Sequence, residues 1–66
     1  MTYIDLNGPD GNAFAIMAYA KKFARQLGKP HQPIINEMMA GDYENLLEVF
    51  RREFPMVELI RDNYDD

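Results

Sequence analysis

Apolar and polar positions change rhythm several times along this chain, and each change marks an element. Over Tyr3-Ile4-Asp5-Leu6 they alternate among strand-forming residues, which predicts a strand over residues 2–6. Ile4 and Leu6 would face the core, with Tyr3 and Asp5 opposite. From Ala13 to Leu27 the rhythm is helical: Ile16, Tyr19, Ala20, Phe23, Ala24 and Leu27 recur at spacings of three and four. Five alanines raise the helix propensity and let another backbone come close. Lys21, Lys22 and Arg25 suit the later turns, and Gly28 stands where a left-handed cap belongs. Pro30 and Pro33 force a corner around His31 and Gln32, and a second helix over Ile34 to Ala40 ends at Gly41. Asp42 reads as the N-cap of a third helix. Its Tyr43, Leu46, Leu47, Phe50 and Phe54 form one apolar stripe, which Pro55 stops. Met56 to Arg61 reads as a second strand, and residues 62–66 as an acidic tail.

The order strand, three helices, strand predicts a single α/β mini-domain over residues 1–66, with a two-stranded ribbon packed on three helices. Antiparallel pairing is expected, because antiparallel pairs outnumber parallel ones. The expected core is Ile4, Leu6, Ile16, Phe23, Leu27, Ile35, Leu46, Leu47, Phe50, Val57 and Leu59. Two strands alone are marginal in water, and a two-stranded ribbon keeps both outer edges open to another chain.

Length sharpens that point. Sixty-six residues lie near the lower limit for unaided folding, and small domains usually add disulfides, a metal or self-association. The chain has no cysteine and a single histidine, which removes disulfides and the thiolate or imidazole metal sites. Self-association remains, so a homo-oligomer is expected, and no cofactor is. Apolar residues at 47% and charged residues at 27% suit a globular domain. The start of the chain lacks the pattern of a signal peptide, and no apolar run approaches the roughly 20 residues that span a bilayer. A cytoplasmic protein without membrane attachment is the expectation. A net charge of −4 works against direct nucleic-acid binding.

The stretch "NGPDGNAFAIM" invites a chemical reading, and the spacing resists most of them. A Walker-type phosphate loop needs Lys and Ser/Thr after its last glycine, where Asn12 and Ala13 stand. Gly8-Pro9-Asp10-Gly11 lacks the three-glycine dinucleotide spacing, and no bidentate acid closes a calcium loop. The plainer reading makes Asn7-Gly8 and Asp10-Gly11 tight turns and Asn12 a helix cap. An alternative survives: a small-anion or nucleotide-binding protein using Gly11, Asn12 and Ala13 at the helix start with Lys22 and Arg25 on its basic face.

Elsewhere the chemistry is sparse. There is no serine, and the single threonine is Thr2, so nucleophilic catalysis by Ser, Thr or Cys has almost nothing to use. Glu44 and Glu48, four apart, fall opposite the Leu46/Phe50 stripe and read as a solvated face pairing with Arg51 and Arg52. His31 reads as an exposed corner residue. Enzymatic activity is not expected. The positive hint is the second helix, where Ile34, Ile35, Met38 and Met39 surround barely two turns. Neighbouring pairs point about 100° apart, so either the helix is buried on both sides or one flank meets another chain. Methionine adapts well at such contacts.

The segments "DLNGPDGNAFAIMAYAKKFARQLGK" and "MMAGDYENLLEVFRREFPMVELI" resemble short proteins of tailed bacteriophages and prophages. Glu37, Met38, Gly41, Asp42, Tyr43, Glu44, Leu46, Leu47, Val49 and Phe50 carry the second half of that resemblance, which extends over nearly the whole chain. It implies a phage accessory setting, with binding to a host factor or defence component as the role. The expected function is therefore protein–protein binding, with Ile34, Met38, Met39, Glu44 and Glu48 as partner contacts. Glu44, Glu48, Asp62, Asp65 and Asp66 offer the carboxylates that an acidic decoy for nucleic-acid-binding proteins uses, though a net charge of −4 is modest for such mimicry.

Overall fold

Alternation at the N-terminus yields strand β1, Thr2–Asp5, in a computed structural model that describes residues 2–61. A single 3-10 turn, Pro9–Gly11, leads into helix α1, Ala13–Leu27. Helix α2 runs His31–Met38, helix α3 Tyr43–Glu53 and strand β2 Val57–Ile60. The acidic tail expected at residues 62–66 lies outside the described residues.

The strands pair in parallel, which overturns the expected antiparallel ribbon; Thr2 stands beside Val57, Ile4 beside Leu59 and Asp5 beside Ile60. Three helices separate the two strands in the chain, so the connection between them is a long crossover and not a hairpin. Parallel neighbours need a crossover of a dozen or more residues, which the three helices supply. Base rates of strand pairing take no account of that crossover. Ile4, Val57 and Leu59 turn toward the helices, while Tyr3, Asp5 and Glu58 are exposed.

Local signals set the helix limits. The Asn12 side chain accepts a hydrogen bond from the Ala15 amide at 2.8 Å, and Asp42 accepts one from Asn45 at 3.0 Å. Each supplies a helix start with a partner for an amide that has none within the helix. Gly28 closes α1 at φ 74°, with Lys29 N–H donating to the Ala24 carbonyl at 2.8 Å. Helix α2 begins three residues earlier than its sequence pattern suggests. Pro30 is its N-cap and Pro33 lies in its first turn, where a missing N–H costs no helical hydrogen bond.

The core joins the inner faces of all three helices to β1 and β2. Ile16, Phe50, Phe54, Met38 and Leu47 are its largest fully buried side chains. Ala20 and Ala24 are buried as well, where their small size lets α1 sit close to its neighbours. Phe50 and Phe54 lie 5.0 Å apart between ring centroids, and Phe23 completes the cluster at 6.3 and 6.0 Å from them. Leu6, Phe23 and Leu59 pack against this core while only partly buried. Leu27, expected inside, is instead 47% exposed at the end of α1.

Candidate functional surface between α1 and α2

The opening loop is a corner held by its own polar groups. Asn7 donates its amide to Asp5 Oδ1 at 2.9 Å, Asn12 donates its side-chain amide to the Pro9 carbonyl at 2.9 Å, and Tyr43 donates its hydroxyl to the Gly11 carbonyl. Gly11 is pressed onto the preceding chain: a Cβ there would collide with the Leu6 carbonyl oxygen and stand 2.6 Å from its carbon. Tyr19 donates its hydroxyl to Asp10 Oδ2 at 3.1 Å, and that bond to a carboxylate raises the tyrosine's pKa. Of the residues suggested for an anion, Gly11 and Asn12 are thus engaged within the corner. Lys22 lines a shallow hollow that also holds Asp10, Ala15, Ala18 and Tyr19, and Arg25 is not among the residues lining it.

The residues suggested for a protein partner separate into three places. Ile34 and Met38 are 7% and 1% exposed, inside the core. Ile35 joins them, so α2 buries all three of its large apolar side chains by lying between α1 and α3. Met39, its C-cap, turns outward, 64% exposed. Glu44 and Glu48 are exposed on α3. Glu44 accepts from Arg61 at 2.7 Å, which lowers its carboxyl pKa, and Arg61 also lies over the Tyr43 ring at 5.8 Å. The expected partners of Glu48 are otherwise occupied on the Arg52 side: that guanidinium holds Glu37 through two hydrogen bonds, at 2.6 and 2.8 Å, and Glu53 at 3.2 Å. Hydrogen bonding to Arg52 lowers the Glu37 pKa.

What the helices bring together instead is a groove lined by Phe14, Met17, Ala18, Lys21, Ile35 and Met39. Phe14, Ala18 and Lys21 follow one another at helical spacing along the outer side of α1, opposite the buried Ile16, Ala20 and Ala24. Phe14 is 83% exposed. A second hollow shares Met17 and Met39 and continues toward Tyr43 and Leu46 of α3. The signal for this surface was present in the sequence: Phe14 and Met17 belong to a second apolar line on α1 that ends at a lysine. The stronger inward stripe masked it.

Charge distinguishes this face from the rest. Ion pairs among the described residues engage Lys29, Arg52 and Arg61. Lys21, Lys22 and Arg25 on α1 take part in none of these pairs. Helix α1 has no acidic residue along its whole length. No described charged or polar side chain is buried, and no group of three or more described His, Cys, Asp or Glu side chains is placed to hold a metal ion. None of the described helices is long and apolar enough to cross a membrane. Compared with protein-family models, curated proteins and solved structures, the chain matches none.

Proposed function

We propose that this chain is a small non-enzymatic protein of the phage or prophage accessory type that acts by binding another protein through the α1/α2 face. The observation that carries this reading is Phe14, a large aromatic ring left 83% in water beside an exposed Met39. Burying a phenylalanine is worth about 1.5–3 kcal/mol relative to leaving it exposed, and this chain forgoes that gain at a position its own core does not need. Contiguous apolar surface of this kind, rimmed by polar residues, marks interaction sites. Met17 and Met39 flank the ring with side chains that can reshape around a partner. The phage setting is supported by the sequence resemblance. General acid or base work at neutral pH calls for a carboxyl or lysine moved off its ordinary pKa by burial or close coupling. The described carboxylates shifted here, Glu37 and Glu44, are exposed and held ionised by arginines. Self-association belongs to this reading at the open edges of the β1/β2 ribbon, away from the groove.

A photo-reactive phenylalanine at position 14, introduced in the producing cell, tests the binding role. A discrete protein adduct is expected from position 14 and not from the exposed Gln26 position on the same helix. Equal labelling from both positions, or none from either, contradicts the reading.

A further inference from the structure

The lining of the α1/α2 groove carries one charge, Lys21, and that charge is positive. Arg25 follows one turn later on the same side of α1, at a spacing that places both on one face. From the α2 side the lining is Ile35 and Met39, both uncharged, and on the exposed side of α2 Gln32 donates to Asn36 at 3.0 Å. The groove therefore has an apolar floor with Lys21 as the one charge in its lining, while the carboxylates of Asp42 and Asp10 lie in the two adjoining hollows, beside Met39 and beyond Ala18. Its length from Phe14 to Lys21 is seven residues, or about 10 Å of helix rise. That is two turns, enough for three or four anchor side chains of a docked helix.

We propose that the occupant of this groove is an amphipathic helix with an acidic polar face, belonging to a different protein. The inference rests on the protein-binding reading above and adds the chemistry of the partner. Its apolar anchors meet Phe14, Met17 and Met39, Ala18 gives the room for close approach, and its carboxylates meet Lys21 and Arg25. A second copy fits this groove poorly. Symmetric pairing through α1 sets the cations of both copies along one seam, with no carboxylate on either helix to meet them. The overall charge of −4 opposes an acidic partner at long range. Screening confines that opposition, because the Debye length is about 8 Å at physiological ionic strength, and the local rim governs the contact.

The test uses the full chain, labelled with nitrogen-15, and two helical peptides with the same Leu/Phe apolar face, one with glutamates and one with lysines on its polar face. The glutamate peptide is expected to shift the amides of residues 14–21 and 35–39, and to bind at least tenfold more tightly than the lysine peptide. The Lys21→Glu/Arg25→Glu double variant, altered only at exposed positions, is expected to reverse that preference. A peptide attracted merely by the protein's total charge shows the opposite order, because the chain as a whole is acidic. Equal affinity for both peptides, or a lysine preference, overturns the acidic partner while leaving the binding face standing. Groove shifts that appear on raising the protein concentration without peptide identify a second copy and overturn the proposal. No groove shift with either peptide or with concentration removes the binding face itself.

Discussion

Two glycines show how differently a single residue can matter. Gly11 has an ordinary backbone, yet its Cα lies so close to Leu6 that a methyl group has nowhere to go. Gly11→Ala is expected to cost about 3 kcal/mol, read by chemical denaturation, because the obstruction is backbone and cannot rotate away. Gly28 has open space around it and a φ of 74°, so Gly28→Ala pays only for the left-handed conformation, about 1–2 kcal/mol. If the two variants melt alike, the close approach at Gly11 is wrong. The sequence made Gly28's role plain through the cationic turn before it. For Gly11 the sequence favoured a tight turn and left an anion site as the alternative, because tight backbone contact and anion cradles recruit the same residue. Phe14 was passed over for another reason: it lies off the Ile16, Ala20, Ala24 stripe, and the reading of α1 followed that stripe alone.

At the scale of elements, caps and stripes carried most of the information. Asn12, Gly28 and Asp42 mark helix limits that the structure keeps, and of the Tyr43, Leu46, Leu47, Phe50, Phe54 stripe all but the partly buried Tyr43 are buried. Strand direction was misread although the element order was legible, because the antiparallel expectation followed the general frequency of pairings and not the three helices between the strands. The charge ties between elements are long-range as well: Glu37 of α2 meets Arg52 of α3, and Glu44 of α3 meets Arg61 after β2. Lys29, just after α1, bonds the Glu53 carbonyl at 2.9 Å and its carboxylate at 3.3 Å. Glu37 and Glu44 have folded-state pKa values below the ordinary 4.5. Depressed carboxyl pKa values stabilise the fold at pH above the unfolded value, and that contribution is lost as pH falls through the folded values. The melting temperature is therefore expected to drop on acidification below about pH 4.5, and less steeply in Arg52→Gln. Parallel pH curves for the variant and the parent would contradict the Arg52 contacts. High salt should narrow the difference, since both partners are exposed.

For the molecule as a whole, the core is continuous and the described polar side chains leave no buried atom without a partner. Among the described residues the ribbon has two strands, and neither pairs with a third along its outer edge. Light scattering across a hundredfold concentration range is expected to show reversible growth from monomer to small oligomer, with the α1/α2 groove still free to bind. A mass that stays monomeric throughout contradicts edge association without touching the groove. The central claim is that Phe14 serves a partner and not this fold, and Phe14→Ser tests it most directly through paired thermal melts and titration with the acidic helical peptide. The account predicts a melting temperature equal to the parent's or higher, with peptide binding reduced at least tenfold. A loss of roughly 8 °C or more, the equivalent of about 1–2 kcal/mol in a domain this size, would place Phe14 in the protein's own packing, and unchanged binding would separate it from the partner; either result contradicts the account.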